Sequence, residues 1–188
     1  NRWSLDAFYS YRKMDATVDN LFITSLKKDG YHRVKADFEK KNKVSNQLVG
    51  SHLYYNGKQY ELGLTAVYNV FNKVLKSTPR TYNRFYPQGR DFFNAGLTYK
   101  FFWNRFIFSG ETALDKRGRI ATLNILTYSP STETRFILLN RFYDMAYQSI
   151  YAKSMGEGSM VQNESGVYAG VETRLLKSFS LNAYADFF

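Results

Sequence analysis

Seven charged residues stand at alternating positions of strand-like segments, where their side chains would share one side: Glu61, Lys100, Glu111, Arg141, Glu172, Arg174 and Asp186. Carboxylates set among guanidinium and ammonium groups could line an ion or substrate path, or perform paired acid–base chemistry. The preferred reading is structural: across a narrow polar interior such groups pair, because an isolated buried charge is costly. A second candidate is the loop tetrad Gly30-Tyr31-His32-Arg33, where His32 could pair with Asp37 or Glu39. No nucleophile stands at a motif spacing from it. The segment is expected to fold back over a rim, with Arg33 bonded to a carboxylate. Asn163-Glu164-Ser165-Gly166 reads as a turn entering a strand, with Glu164 a local acceptor. Its Asn-Glu-Ser triplet also matches a glycosylation acceptor, a common chance match.

Several chemistries are excluded by what is missing. There is no cysteine, which removes a disulfide framework, a thiolate metal site and a thiol nucleophile. Only two histidines occur, His32 and His52. No G-x-S-x-G elbow, H-E-x-x-H pair or Gly-rich phosphate loop is present. Neither catalysis nor a cofactor or metal is expected.

The elements that position these residues are strands. Period-two alternation dominates the 188 residues, and aromatics make up 18% of them, too many for a disordered chain. Trp3, Leu5, Ala7, Tyr9 and Tyr11 oppose Ser4, Asp6, Ser10 and Arg12. Over 59–71, Tyr60, Leu62, Leu64, Ala66, Tyr68 and Val70 oppose Glu61, Gly63, Thr65 and Asn69. Asn56-Gly57 before that strand predicts a tight hairpin with both turn residues at positive φ. Phe93 to Trp103 alternates as cleanly, as do 167–175 and 179–186 around a turn near Lys177. Residues 105–114, 119–128 and 133–143 are strands with less distinct faces. The total is about nine strands of roughly ten residues each. The longer connections are 13–45, 73–90 and 144–164, with one short helix expected at Lys35 to Lys43.

Three all-β architectures could use these strands: a sandwich, a soluble barrel and a transmembrane barrel. A bilayer needs strands of about nine to eleven residues, whereas globular strands average nearer five or six. Aromatics near strand ends match interfacial girdles, and alternating short and long connections match an outer-membrane barrel. The opposite faces carry Gly, Asn, Thr, Glu and Arg rather than a second apolar layer. The expectation is therefore an antiparallel transmembrane β-barrel, residues 1–188 forming one barrel domain or a section of a larger one. Strand patterns that start and stop in mid-alternation point to a section of a longer polypeptide.

The segments FYSYRKMDATVDN (8–20), GYHR (30–33), GLTAVYNVFN (63–72), FSGETALDKRGRIATLN (108–124) and VQNESGVYAGVE (161–172) extend this reading. They resemble the β-barrel portion of Bacteroidota outer-membrane proteins that carry an N-terminal helix-hairpin-helix domain. That domain itself is not in this sequence, so no DNA-binding residue carries over. The resemblance implies residence in the bacterial outer membrane, among its lipid and lipopolysaccharide and near other envelope proteins.

The formal net charge of +10 allows nucleic acid as a partner, through phosphate neutralisation and counterion release. Lys27, Lys28, Lys35, Lys40, Lys41 and Lys43 are interrupted by Asp29, Asp37 and Glu39, which reads as a mixed, solvated face. Two functions follow as expectations. The first is a structural, anchoring or passage role in the envelope. The second is nucleic-acid binding or DNA uptake at the cell surface. A soluble carbohydrate-binding sandwich is a weaker third.

Overall fold

A computed structural model describes residues 2–27, 30–76, 80, 83–176 and 178–188. Lys28, Asp29 and the turn residue Lys177 lie outside the described residues. The fold is one sheet, antiparallel along its main path. In chain order its strands are β1 (Trp3–Met14), β2 (Ala16–Asp19), β3 (Phe22–Leu26), β4 (Val44–Asn56), β5 (Tyr60–Leu75) and β6 (Gly89–Trp103). They continue with β7 (Phe106–Asp115), β8 (Ile120–Tyr128), β9 (Thr134–Tyr143), β10 (Glu164–Leu176) and β11 (Phe179–Phe187). The pairing order is β1-β4-β5-β6-β7-β8-β9-β10-β11, so the nine expected strands are all on this path.

The sheet is open. β1 and β11 are its two edges and do not pair with one another, so the described residues form an antiparallel sheet with free margins and no closed barrel. The 13–45 connection is also more ordered than a loop. β2 and β3 form a hairpin whose second strand joins the end of β5 in parallel, Phe22 opposite Val74 and Ile23 opposite Leu75. This hairpin buries Ala16 and Ile23 against Val44, Phe71, Leu75 and Phe92. The helix α1 (Lys35–Phe38) is shorter than expected, a single turn. Asn42, in the left-handed region at φ 56°, turns the chain toward β4 after it.

The β4–β5 hairpin forms where Asn56-Gly57 stands, but neither residue has a positive φ. Asn56 pairs with Glu61, and Gly57 N–H donates to the Tyr60 carbonyl, closing a connection longer than two residues. Longer hairpin loops are built around type I turns, which need no left-handed residue. At the β6–β7 turn, by contrast, Asn104 is left-handed at φ 53°.

Cross-strand register separates the sheet into two faces. One carries the row Leu5, Leu53, Leu64 and Leu97, each opposite the next on β1, β4, β5 and β6. We call it the apolar face. At the end with the tight turns it bears a run of ring contacts: Trp3–Tyr55 at 4.7 Å, Tyr55–Tyr60 at 5.4 Å and Tyr60–Phe101 at 6.5 Å. The run resumes as Trp103–Phe106 at 6.0 Å, Phe106–Tyr128 at 4.5 Å and Tyr128–Phe136 at 6.2 Å. Tyr9, Tyr11, Tyr68, Phe93 and Phe142 stand exposed toward the other end. From Tyr60 to Tyr68 the strand rises roughly 26 Å. Beyond that row charge returns: the Tyr68 hydroxyl donates to Asp91, which pairs with Lys116.

Candidate functional site

The opposite, polar face holds the candidate residues. Register places all seven strand charges on it. Glu61 stands opposite Lys100, Glu111 opposite Thr98, Arg141 opposite Gly166, Glu172 opposite Arg135, Arg174 opposite Ser180 and Asp186 opposite Tyr168. They do not form one network. Arg141 and Asp186 alone among the seven make an ion pair with one another, Nη1 to Oδ1 at 2.8 Å. The third member is Glu164, expected as a turn acceptor at the rim but bonded to Arg141 Nε. Glu164 also accepts the Glu157 backbone N–H, so it ties the β9–β10 connection to the sheet.

The Arg141 side chain is fully buried, and β9, β10 and β11 must all be in register for its fork to reach both carboxylates. Gly166 makes room for it: a Cβ there would lie 2.8 Å from the guanidinium carbon. Lys100 instead lies over the Phe102 ring at 4.8 Å, and Glu61 accepts from the Tyr54 hydroxyl.

A strap formed by residues 144–152 crosses this face. Asp115 anchors its start: Oδ2 accepts Gln148 N–H at 3.0 Å, while Oδ1 accepts the backbone N–H groups of Arg117 and Arg119. Asn94 on β6 donates to the Gln148 carbonyl and the Tyr147 hydroxyl. Further along, the Tyr151 hydroxyl donates to Asn46 Oδ1 at 2.8 Å, and Arg12 of β1 lies over its ring at 4.9 Å. Asn46 is fully buried and donates to Asn69 on β5. The strap thus spans from β7 to β1, and between it and the sheet lies a cavity of about 220 Å³ that includes Thr65, Asn69, Asn94, Glu111 and Tyr147.

Sequence reasoning missed the strap and its receptors. One signal was present: Asn46, Asn69 and Asn94 are amides at alternating positions of three strands that pair in order. Cutting the anchor tests the arrangement. Asp115→Ala leaves three backbone N–H groups without their acceptor, and limited proteolysis is expected to cut within 144–152 in the variant while sparing the native chain. Equal protection of both would contradict a strap held by Asp115.

The loop tetrad is organised differently from expectation. His32 Nε2 lies 2.6 Å from Asp15 Oδ2, not beside Asp37 or Glu39. The Arg33 guanidinium stacks over the Tyr31 ring at 4.2 Å; its backbone N–H, not its side chain, bonds Asp37. Asp37 pairs instead with Lys27. Asn163, at φ 53°, turns the chain into β10, as a turn residue there would.

Asp15 fixes this loop. The Asn42 backbone N–H, then His32 and Lys27, hold its carboxyl below the ordinary aspartate value of 3.8, against a partial opposing effect of burial. A depressed acid contributes stability above its unfolded value and loses it as pH falls through the folded one. Protease resistance of 13–45 is therefore expected to stay constant down to pH about 4 and to fall below it. Asp15→Asn should show the lower resistance above that pH and differ little from the native chain once Asp15 is protonated. A native loop unaffected by acid would contradict this.

Among the described residues no three His, Asp or Glu side chains are grouped to hold a metal ion. No described helix is long and apolar enough to cross a membrane, which says nothing of β-strands. No protein-family model, curated protein or solved structure matches this chain.

Proposed function

We propose that the chain is an integral outer-membrane β-barrel section with a structural, anchoring or passage role and no catalysis, its interior occupied by the strap. One observation carries this reading: the sheet is inverted relative to a water-soluble fold. Its covered face buries Asn46, Asn69, Asp115 and Arg141 together with the strap, beside an apolar cluster around Ile23, Val44, Phe71 and Phe92 at one end, while the leucine row and most of the belt aromatics are exposed. Water-soluble sheets bury the apolar side, whereas a barrel in lipid turns it outward. With strands tilted by about 40°, the roughly 26 Å between the belts along β5 projects to about 20 Å of height, near the apolar band of about 25 Å.

The margins support a section rather than a closed unit. Every neighbour on the nine-strand path is antiparallel, so β1 and β11 run the same way. Antiparallel closure needs at least one further strand between them. Extraction tests the reading: the protein should leave its native membrane only with detergent and retain a β-rich spectrum. A chain that is soluble and monomeric without detergent would overturn it.

A second reading, nucleic-acid binding at the cell surface, draws on basic residues at the end opposite the tight turns, among them Lys40, Lys43, Lys73 and Arg119. It requires an affinity whose logarithm falls linearly with log salt. Absence of binding at low salt rejects it.

A further inference from the structure

Apart from single polar residues such as Ser51 and Gln47 on β4, the apolar face is interrupted by one polar cluster. Across β1, β4, β5 and β6 its central row is Leu5, Leu53, Leu64 and Leu97; on β7 and β8 the same row continues as Thr112 and Thr122. The neighbouring row runs from Tyr99 through Gly110 and Asn124 to Asn140. Apolar residues bracket this island along each strand: Leu126 and Ile120 on β8, Leu138 and Phe142 on β9, all exposed. It therefore lies inside the band, Asn124 being four residues, or about 13 Å, from Tyr128 in the aromatic belt.

Most of the island satisfies itself. Thr112 and Thr122 hydroxyls bond at 2.9 Å, Asn124 Nδ2 donates to Thr122 at 3.2 Å, and the Tyr99 hydroxyl donates to Asn124 Oδ1. Tyr99 lies across Gly110, where a Cβ would meet its ring at 2.9 Å. Asn140 is the exception. Its side chain is exposed, and among the described residues it has no hydrogen-bond partner. On a water-facing surface such an amide is hydrated. In lipid it has nothing to bond, and polar groups at that depth face protein or a water-filled space.

We propose that this island is the contact between two copies of the chain within the membrane, resting on the membrane reading above. The Asn140 amide is donor and acceptor together, so two copies of it complement one another, as a two-fold interface requires. With the two-fold axis along the membrane normal, Asn140 of each copy meets the other's island while the flanking leucines and phenylalanines pack around it. A charged island would need a partner of opposite sign; this one does not.

The test uses the full-length polypeptide extracted from its native membrane in mild detergent. The wild type should run as a dimer by native mass spectrometry, and Asn140→Leu should raise its dissociation constant by about tenfold, the scale of intramembrane hydrogen bonds. The 188 residues contain no cysteine, so within them Asn140→Cys reports alone. With an added thiol oxidant it should give a disulfide-linked species of twice the monomer mass in native membranes, whereas Ala66→Cys, on the apolar face of β5, should not. The crosslink also serves where Asn140→Leu fails to fold. A detergent-extracted monomer, a dimer indifferent to Asn140→Leu, or a crosslink to a different protein overturns this inference while leaving the membrane reading intact. Solubility without detergent overturns both.

Discussion

Arg141→Met is expected to lower stability by about 3–5 kcal/mol, the usual cost of removing one partner from a buried ion pair. The guanidinium is fully buried, and its loss strands Glu164 and Asp186 on neighbouring strands with no other cation in contact among the described residues. β11 is an edge strand, held by β10 alone, so the damage should concentrate there and in the connection that Glu164 ties down. Arg141→Lys should recover little, because one ammonium cannot reproduce the fork that bonds two carboxylates. Removing the charges together, by Arg141→Met with Glu164→Gln and Asp186→Asn, should recover much of the loss. Denaturant titration of the detergent-solubilised protein measures all three. A single-variant loss below about 1 kcal/mol would show the triad to be solvated rather than buried.

The second large effect separates lipid from water. Leu64 is 55% exposed at the centre of the apolar face. In water, Leu64→Arg at such a site should change stability by no more than about 0.5 kcal/mol. In a bilayer, a lipid-facing arginine near the midplane costs about 2–4 kcal/mol. Thr65→Lys, one residue along and on the polar face, serves as the control. It loses the 2.8 Å bond between His52 and the Thr65 hydroxyl, a loss of about 1 kcal/mol, but keeps its charge away from lipid. A penalty at Leu64 several times that at Thr65, in lipid vesicles, is the expected result. Equal small effects would remove the lipid-facing assignment.

How much of this was legible in the sequence depended on how unlike the two faces of a strand are. β5 alternates Tyr, Leu and Ala with Glu, Gly and Thr, so both its extent and its polarity were readable. β7, β8 and β9 were readable as strands but not as faces. Thr112, Thr122, Asn124 and Asn140 stand on the apolar side, while Leu123, Ile125 and Leu139 stand on the other. Each departure cancels the alternation that a single-strand pattern depends on.

Features set by distant partners were not legible. β2 and β3 are only 4 and 5 residues long, and they are held by the end of β5 about fifty residues away. The strap looks like any polar loop until Asn94 and Asn46 are beside it. The position of the β4–β5 turn was evident from Asn56-Gly57, yet its conformation followed from the number of residues the register left to span. His32 has Asp37 and Glu39 near in sequence, but it pairs with Asp15 because the β2–β3 hairpin brings the chain back on itself.

The most direct test of the inverted sheet is single-cysteine accessibility along β5 in native membranes, from position 61 to position 70, read with a membrane-impermeant maleimide after the water-filled side is opened to reagent. The account requires period two: cysteines at 62, 64, 66 and 68 protected, and those at 61, 65 and 67 labelled, with 63 left out because a Cβ there would run into Thr98 and His52. Uniform labelling, or protection at the odd positions, would contradict it.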